Sequence, residues 1–424
     1  MNHISDLIMI PLQVLILFFT LYYFVIAFFG FWRRKEKKHL TPKHSFAIIV
    51  AAHNEEQVIS HLIENLQMLN YPRSLYDIFV IADNCKDKTA EIARAAGAIV
   101  HERFNLEQRG KGFAMEWMFA RLFKLQRKYD SVAIFDADNL VHPDFLLEMN
   151  SRFCKGEKVV QGYLDSKNPD DTWVSGTFAI NFWVTNHIWH LAKYNLGLSS
   201  ALGGTGMCIS TDVLEEFGWG ATCLTEDLEF SMKILVKGIP TTWAHDAIVY
   251  DEKPLTFKQS WDQRQRWAQG HFDIAGRYLF KMIYEGIKQR DLRVLDGVFH
   301  LLQPYMLLLS TTFVISSYLY NFAPFYTNIL YDWLPWQVWQ IIGVGQYVFP
   351  MIILAKINAS KTSWRNMILY PLFIYSWIPI TVLGFIYRNH RVWSHTQHTR
   401  AISYQDIMGD PNAPFSKMTK QAIK

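Results

Sequence analysis

The tripeptide Asp136-Ala137-Asp138 places two carboxylates close together at the end of a predicted strand. It closes the apolar run VAIFD and leads into a turn. Carboxylate oxygens are hard ligands that hold Mg²⁺ or Mn²⁺, and such an ion usually keeps water molecules and bridges substrate phosphates. An isolated DxD is most often an ordinary surface turn. It therefore predicts a metal site at Asp136 and Asp138 only in combination with other motifs.

A second acidic pair, Glu226 and Asp227, follows Thr225 and precedes the amphipathic segment DLEFSMKILVKG. One interpretation is structural, since Thr225 can cap a helix whose amino end favours acidic residues. The other is catalytic, because group transfer to a hydroxyl needs one general base and no covalent nucleophile. Both interpretations can hold together. We assign the base to Asp227, with Glu226 beside it.

The segment QRQRW, from Gln263 to Trp267, combines amides, two guanidinium groups and an indole within about one helical turn. Arginine stabilises a departing diphosphate through bidentate, charge-assisted hydrogen bonds. Tryptophan offers a flat apolar face on which a sugar ring can stack. The alternative is an interfacial helix with snorkelling arginines and a tryptophan belt.

The elements that would position these residues alternate between strand and helix from about Phe46 to Tyr250. FAIIVAA, DIFVIAD, VAIFD and KVVQGY are short apolar runs, and helix-like stretches such as EEQVISHLIENLQML and DKTAEIARAAG separate them. This alternation predicts an α/β fold with a mainly parallel sheet covered on both faces. Ligands of such sheets bind beyond the carboxyl ends of the strands, where Asp83 and Asp136 should point into one crevice.

An almost uncharged run from Ile8 to Trp32 is long enough to cross a hydrocarbon core of about 30 Å. It is too long for a signal peptide and has neither a basic leader nor a small-residue cleavage site. The basic run RRKEKK, from Arg33 to Lys38, follows at once. By the positive-inside rule, it predicts that the segment after it is cytoplasmic.

The second half of the chain contains an amphipathic stretch, Pro254 to Gly286, that is typical of a helix or helix pair at a membrane interface. Three apolar blocks follow, at about 298–320, 334–355 and 367–387. If all three spanned, the basic tail would lie outside, against the positive-inside rule. We therefore expect one block to be interfacial, re-entrant or a short hairpin, and Pro371 and Pro379 favour the last block.

Composition excludes several other classes of protein. The formal net charge is only +4, and the basic residues gather at the edges of the apolar blocks, so we do not expect nucleic-acid binding. The four cysteines have no metal-ligand spacing, and reduced cytosolic thiols explain them.

In chain order, Asp83, DAD, TED and QRQRW resemble the D, DxD, TED and Q(x)xRW signature of the processive family 2 glycosyltransferases. Cellulose, hyaluronan and poly-N-acetylglucosamine synthases belong to that family. VAAHNEE, RGKGFAM and YDEKPLTFKQSWDQRQRW resemble further segments of it, so the resemblance covers most of the chain. It implies a GT-A type domain inserted between transmembrane helices of the plasma membrane, with Mg²⁺ or Mn²⁺ as cofactor.

The resemblance also implies roles for individual residues. Asp227, Glu226 and Arg266 would be catalytic, and Asp138, together with Asp136, would hold the metal, Asp138 being the direct ligand. The residues that would contact nucleotide, diphosphate or acceptor are Asn54, Glu55, Asp83, Lys111, Asp136, Gly204, Gln263, Arg264, Trp267, Trp393 and Thr396. Lys111 has an equal structural interpretation as a residue that begins a helix. Trp393 and Thr396 belong to WSHTQHT, which resembles a gating segment, although a basic interfacial tail explains it nearly as well.

The implied organisation is a transmembrane helix at 1–32, a cytoplasmic glycosyltransferase domain at 45–250, amphipathic interface helices at 251–290, transmembrane helices at 298–387 and a cytoplasmic tail at 388–424. The implied partners are a UDP-sugar donor, a polysaccharide acceptor, the lipid bilayer and, in addition, accessory export subunits. The loop LGGTG lacks the cysteine that cellulose synthases carry there, which leaves the donor and acceptor sugars open.

Two alternatives remain at this level. One is a non-processive enzyme that adds a single sugar to a lipid, although such enzymes usually lack a complete Q(x)xRW helix followed by several apolar helices. The other is an inactive transport or scaffold subunit, but subunits of that kind tend to lose the acidic residues that this chain retains.

Overall fold

The fold begins with a long apolar helix that precedes an α/β domain, and more helices follow that domain. The structure is a computed structural model that describes residues 5–38, 40–220, 223–320, 327–333, 336–389, 401–402 and 404–409. The strands are β1 Phe46–Ala52, β2 Tyr76–Asp83, β3 Ile99–Arg103, β4 Ser131–Asp136, β5 Leu140–Val141, β6 Val159–Ser166, β7 Met207–Ser210 and β8 Thr241–Asp251. The helices before β8 are α1 Asp6–Phe28, α2 Ile59–Gln67, α3 Thr89–Ala95, α4 Lys111–Leu122, α5 Phe145–Cys154, α6 Trp173–Thr185, α7 Ala192–Leu196, α8 Thr211–Phe217 and α9 Glu226–Leu235. Those after it are α10 Phe257–Gln289, α11 Leu292–Tyr320, α12 Ile329–Trp333, α13 Trp336–Lys356, α14 Lys361–Asn366, α15 Tyr370–Ile386 and α16 Tyr404–Gly409.

The described strands form one sheet in the order β3-β2-β1-β4-β7-β6-β8-β5. β1 pairs in parallel with β2 and β4, β2 with β3, and β6 with β8. The prediction of a mainly parallel sheet holds for the first half, but β7 is antiparallel to both of its neighbours and β5 is antiparallel to β8. The sheet is therefore mixed. The sequence did not predict β5 and β7 because these strands are too short to show a clear periodicity.

Both faces of the sheet are covered, as the continuous apolar run of β1 predicts. On one face, Ile48 and Val50 pack with Leu62 of α2 and Phe145 of α5. On the other, Ile49 packs with apolar residues of α4, α8 and α9. Since β2 and β4 lie on opposite sides of β1, their carboxyl ends flank the crevice where such folds bind ligands.

The helix α2 begins four residues later than the acidic start of its predicted segment. Glu55 N–H donates to Thr89 Oγ1 at 2.8 Å, and Asn54 adopts a left-handed conformation with φ 55°. These contacts hold the HNEE segment as a loop across the end of β2. Glu55 and Glu56, which suit the start of a helix, therefore lie in a loop that borders the crevice.

The amphipathic stretch forms one continuous helix of 33 residues, α10, rather than a pair of helices. Thr256 and Gln259 close a reciprocal capping box at its start, and Gln259 N–H donates to Thr256 Oγ1 at 3.3 Å. On its far side α10 packs tightly against α15, because a Cβ on Gly384 would lie only 2.5 Å from Ala268 Cβ. No glycine or proline interrupts the first turns, so QRQRW lies on one rigid rod.

Two of the described helices, Asp6–Phe28 and the part of α11 from Leu292 to Ser316, are long and apolar enough by length and composition to cross a membrane. The shorter apolar helix Tyr370–Ile386 contains Pro379 and carries Pro371 at its start. The predicted blocks at 298–320, 334–355 and 367–387 thus correspond to α11, α13 and α15.

Candidate active site

The DAD turn is held by hydrogen bonds from three separate segments. Asp136 N–H donates to Asn139 Oδ1 at 3.0 Å and to Thr205 Oγ1 at 3.1 Å. Asp138 is 5% exposed, and its Oδ2 accepts the Glu252 N–H at 3.1 Å. The backbone of Asp136 and the carboxylate of Asp138 are therefore held at the carboxyl end of β4, where the sequence predicts them.

Lys111 lies at the start of α4 and reaches into the space between the acidic motifs. Its ammonium group forms an ion pair with Asp136 and donates to the Gly204 carbonyl oxygen at 2.6 Å. Burial alone would lower the pKa of Lys111, but the charges of Asp136, Glu226 and Asp227 outweigh it and raise that pKa. A permanent positive charge therefore lies among three carboxylates, beside the LGGTG loop.

Glu226 and Asp227 occupy the first turn of α9. Leu228 N–H donates to Asp227 Oδ1 at 2.8 Å, while Asp227 Oδ2 lies 3.5 Å from where a Cβ on Gly204 would be. Burial, and then the charge of Asp227, raises the pKa of Glu226 to about 7. Burial also raises the pKa of Asp227. This is the setting of a carboxylate that binds protons more readily than usual.

Arg266 of QRQRW belongs to the same group of charges. Burial lowers the pKa of Arg266, and the charges of Glu226, Asp136 and Asp227 oppose that effect. The helix that carries it approaches the TED motif closely, since a Cβ on Gly270 would lie 2.2 Å from Thr225 Oγ1. Only a glycine lets α10 come this near to the start of α9.

Trp267 lies in an aromatic cluster next to these charges. Its ring centroid is 5.8 Å from that of Phe178 and 6.3 Å from that of Phe182. Lys253 Nζ lies 3.3 Å from the centroid of the Phe182 ring, a cation–π contact. Gln263 Oε1 is buried and accepts no hydrogen bond from the described residues.

Arg264, the other arginine of QRQRW, is not brought to the carboxylates. It is 0% exposed, and its Nη1 donates to Ser376 Oγ at 2.8 Å and to the Phe373 carbonyl oxygen at 3.2 Å. Its guanidinium lies 4.3 Å from the Phe373 ring centroid. The structure thus gives Arg264 a position that joins α10 to α15, and the substrate contact implied by the resemblance finds no support in this geometry.

Asp83 lies at the other end of the crevice in a separate polar group. Its Oδ1 accepts Arg103 Nη1 at 2.5 Å and Asn84 Nδ2 at 3.0 Å. Burial raises the pKa of Asp83, and Arg103 opposes that rise. His53 Nδ1 approaches the Asp83 carbonyl oxygen at 2.6 Å and links Asp83 to the HNEE loop. Two strand spacings separate Asp83 from Asp136, about 10 Å.

Trp393 and Thr396, the candidate gating residues, lie outside the described residues. The nearby helix α16 packs against the sheet, since the Tyr404 ring centroid lies 6.2 Å from that of Tyr250 and 6.3 Å from that of His142.

The sequence analysis did not identify three residues that contact the predicted site residues: Arg103, Asn139 and Lys167. Arg103 lies on β3 directly opposite Asp83 of β2. The alternation of apolar and polar residues in β3 is too weak to predict a strand there. Asn139 directly follows DAD, so the Asx-turn chemistry of asparagine could have indicated it. Lys167, whose ammonium donates to the Asp138 carbonyl oxygen at 2.6 Å, follows β6 and gives no local signal.

The donor set fits a divalent metal held jointly with a diphosphate. Asp136 and Asp138 are two carboxylates that could serve as hard oxygen ligands, and no cluster of three His, Cys, Asp or Glu side chains that could hold a metal occurs among the described residues. Mg²⁺ is usually bound by one or two carboxylates together with phosphates and water, and not by a cage of protein ligands.

Comparison with known proteins agrees with this geometry. A family model described as "Glycosyltransferase like family 2" matches residues 42–270. The probable glycosyltransferase YdaM of Bacillus subtilis (strain 168) is 23% identical over 386 residues, which are 85% of this chain and 86% of that protein. The beta-monoglucosyldiacylglycerol synthase of Trichormus variabilis is 30% identical over 245 residues, 55% of this chain and 49% of the synthase. The poly-beta-1,6-N-acetyl-D-glucosamine synthase of Staphylococcus aureus (strain COL) is 23% identical over 279 residues, 62% of this chain and 65% of that protein.

Among solved structures, the mannosyltransferase PcManGT from Pyrobaculum calidifontis, in complex with GDP-Man and Mn²⁺, superimposes with a TM-score of 0.58 at 16% identity, over 91% of this chain and 99% of the other. The likeness is one of fold and makes the mixed α/β domain GT-A-like. Since the family model covers more than half of the sequence and includes each acidic motif and QRQRW, the chain belongs to glycosyltransferase family 2 and is a glycosyltransferase.

Proposed function

We propose that this enzyme transfers a sugar from a UDP-sugar, with inversion, to the non-reducing end of a growing β-linked polysaccharide. The observation that carries the proposal is the convergence of Asp136, Glu226, Asp227 and two cations, Lys111 and Arg266, at one end of the sheet. Inverting transfer requires one base, a stabilised leaving group and an ordered acceptor. Each requirement has a candidate in this cluster.

Asp227 is the proposed general base. Its Oδ1 is occupied by the Leu228 N–H, so Oδ2, which faces the Gly204 side of the crevice, is the oxygen free to receive the acceptor hydroxyl proton. Burial raises the pKa of Asp227 and so makes the carboxylate a stronger base than an exposed aspartate. The hydrogen bond from the Leu228 N–H and the positive charge of Lys111 oppose this rise in the pKa of Asp227.

The departing diphosphate would be stabilised by Lys111 and Arg266. Both cations already lie in the field of the carboxylates, so they are positioned before substrate arrives. When bound, a Mg²⁺ or Mn²⁺ ion held by Asp136 and Asp138 would neutralise diphosphate charge. Lys111 forms an ion pair with Asp136, one of the two carboxylates that would hold the ion.

The nucleoside would lie at the opposite end of the crevice, against Asp83 and the loop that contains Asn54 and Glu55. Arg103 holds the Asp83 carboxylate through Oδ1 and leaves Oδ2 to accept hydrogen bonds from the base. Asn54 Oδ1 accepts the Lys86 N–H at 2.8 Å, which fixes the loop above β2. This part of the site would bind and orient and would take no part in proton transfer.

The acceptor sugar would stack on the aromatic cluster around Trp267. Phe178 and Phe182 support the indole from the side of α6. Gln263 is one helical turn away on the same helix, and its buried Oε1 is available to a sugar hydroxyl. Aromatic stacking with a hydrogen-bonding amide beside it is the usual way in which proteins bind pyranose rings.

We further propose that α1, α11 and neighbouring apolar helices hold the enzyme in the plasma membrane, with residues 45–250 in the cytoplasm. The apolar lengths of α1 and α11 support spanning, and RRKEKK supports a cytoplasmic catalytic domain. A polymer could then leave between the helices behind α10, with accessory export subunits receiving it on the other side.

A non-processive enzyme that adds one sugar to a lipid is the second candidate. The similarity to the beta-monoglucosyldiacylglycerol synthase, at 30% identity, favours it, whereas the similarity to the poly-beta-1,6-N-acetyl-D-glucosamine synthase favours the first candidate. Purified membranes should be supplied with each labelled nucleotide-sugar and Mg²⁺ or Mn²⁺. A ladder or polymer cleaved by linkage-specific hydrolases supports the polysaccharide synthase, and a single labelled glycolipid refutes it.

The base assignment is tested with Asp227→Asn, which keeps the shape and removes the proton acceptor. We expect turnover to fall by about 10²–10⁴-fold with unchanged expression in the membrane. The matched control is Asp262→Asn, which removes an exposed acid of α10 paired with Lys258 at 2.6 Å. Turnover in Asp227→Asn equal to that of the control would refute the assignment.

A further inference from the structure

A charged cleft lies at the opposite end of the domain from the crevice, directly after α1. It holds about 420 Å³ of space, open solvent included, and is formed by the RRKEKK segment, α5, Tyr194 of α7 and the β8 residues Trp243, His245 and Asp246. None of the proposed substrate or metal residues lines it. The cleft therefore needs an explanation separate from sugar transfer.

The walls of the cleft carry more positive than negative charge. Six basic and three acidic side chains line it: Arg33, Arg34, Lys37, Lys38, Arg152 and Lys155 against Glu36, Glu148 and Asp246. With Glu157, which pairs with Arg152, counted among the acids, full ionisation leaves a surplus of two positive charges in a concave site, where low-dielectric walls concentrate the field. A concave basic surface of this kind favours an anion.

The acids at the cleft hold the cations in position and cancel only part of their charge. Asp246 forms ion pairs with both Arg33 and Lys38. Glu36 likewise pairs with Arg152 at 2.9 Å and with Lys155. Asp246 is shared by two cations, so that group keeps one positive charge, whereas Arg152 also pairs with Glu157 at 3.5 Å, which balances the group around Glu36. The side chains of both groups are held in place. Such preorganisation lowers the entropy lost when a ligand binds.

The floor of the cleft contains a neutral histidine. His245 is 8% exposed, and its ring centroid lies 5.1 Å from that of His187 beneath it. Burial, and then the charge of Arg33, lowers the pKa of His245 well below its usual value. A neutral imidazole can donate one hydrogen bond from its N–H to a phosphate oxygen and adds no further charge.

The location of the cleft indicates the source of the anion. The basic segment begins only a few residues after the 23-residue apolar helix α1 ends at Phe28. If α1 spans the bilayer, these residues lie at the depth of the cytoplasmic headgroups, where basic pockets meet anionic lipids. Gly30 keeps the segment against the domain, because a Cβ there would lie 2.1 Å from the His187 carbonyl oxygen.

We propose that this cleft binds the phosphate headgroup of an anionic phospholipid in the cytoplasmic leaflet. The site would hold the catalytic domain at a fixed height and orientation beneath the membrane. The identification of a lipid, as distinct from a soluble phosphate, rests on the membrane insertion proposed above.

Two double variants test the site from different walls. Arg33→Gln with Lys38→Gln removes the cations that share Asp246, and Lys37→Gln with Lys155→Gln leaves that group intact. The second variant keeps the test valid if the first destabilises the fold. Their matched control removes two cations from exposed ion pairs elsewhere, Arg94→Gln with Lys158→Gln, whose partners are Glu102 and Asp212.

The assay uses the full chain in a neutral detergent, with binding followed by native mass spectrometry and thermal shift. The probes are short-chain phosphatidylglycerol, short-chain phosphatidylcholine and inorganic phosphate. We expect phosphatidylglycerol to bind and stabilise the wild type and the control. Each cleft variant should bind it about 30-fold more weakly, since each basic residue near an anionic surface contributes roughly a fivefold factor.

Three results decide the proposal. Equal phosphatidylglycerol binding by the cleft variants and the control would overturn it. Equal stabilisation by phosphatidylcholine would overturn the role of anionic charge, and equal saturation by inorganic phosphate would overturn the lipid source. Binding is measured again in Asp227→Asn, so a chain that retains the lipid site but transfers no sugar separates this proposal from the proposed function.

Discussion

Glu226→Gln should stabilise the protein at alkaline pH and have little effect in acid. Burial and the neighbouring charge of Asp227 raise the pKa of Glu226 from its ordinary value of 4.5 to about 7. A carboxyl whose pKa is higher in the folded state binds its proton more tightly there. Folding is therefore favoured below pH 4.5, and that stabilisation is lost as the pH rises from 4.5 to about 7.

The size of the effect follows from the two pKa values. At roughly 1.36 kcal/mol per pH unit, ionised Glu226 costs the wild type on the order of 3 kcal/mol at pH 8. Glutamine keeps the shape of the side chain and cannot ionise. The free energy of unfolding of the variant should thus exceed that of the wild type by up to about 3 kcal/mol at pH 8, and by less than about 1 kcal/mol at pH 5.

The assay is thermal unfolding of the purified chain without metal or nucleotide, at intervals from pH 5 to pH 8. The quantity that matters is the difference in midpoint between Glu226→Gln and the wild type. Glu64→Gln, a change at an exposed position of α2, is the matched control and should show a small difference that does not vary with pH. A Glu226→Gln difference that is flat across this range, or larger at pH 5, would refute a raised pKa of Glu226 in the folded chain.

Two further substitutions test how the site is held together. Gly270→Ala should cost about 1–3 kcal/mol of stability and reduce turnover, because its Cβ would lie 2.2 Å from Thr225 Oγ1. The control Gly276→Ala, whose Cβ would meet no atom within 4 Å, should stabilise α10 by up to about 1 kcal/mol. Thermal unfolding and turnover are measured for both variants, and equal effects would contradict the prediction. Lys167→Met should weaken Mn²⁺ binding several-fold, because the Asp138 carbonyl oxygen loses the hydrogen bond from Lys167. Mn²⁺ affinity is measured by electron paramagnetic resonance. An unchanged affinity would show that Lys167 does not position the DAD turn.

The first half of the domain was predictable because its signals are local. FAIIVAA, DIFVIAD and VAIFD are buried parallel strands, and continuous apolar runs are typical of such strands. Asp83 and Asp136 end two of them, so their position at the sheet edge follows from strand direction alone. TED begins a helix with Glu226 and Asp227 in its first turn, as predicted, but Thr225 at the N-cap position makes no capping hydrogen bond with its side chain.

The second half of the sheet could not be predicted in the same way. β7 has four residues and β5 has two, which is too short for a period-two pattern to stand out. Their directions depend on long-range pairing, and no local signal in MCIS or LV sets it. The partners Arg103 and Lys167 were missed for the same reason, because each meets its carboxylate residue only after distant strands have aligned.

QRQRW shows why a motif alone cannot assign each of its members. Successive helical residues are about 100° apart, so the two arginines, separated by two positions, must point to different sides of α10. Arg264 shares its face with Ala268, which meets α15, and Arg266 shares its face with Gly270, which meets the TED motif. Which arginine reaches the carboxylates is decided by the neighbours of the helix and not by its sequence.

The different orientations of Arg264 and Arg266 place α10 between the active site and α15. Arg264 is hydrogen-bonded to Phe373 and Ser376 of α15, and Arg266 lies two residues further along the same helix. One helix therefore carries both the contact with α15 and the arginine that we assign to the leaving diphosphate. In the membrane-bound enzyme proposed above, α10 would join the active site to the apolar helices.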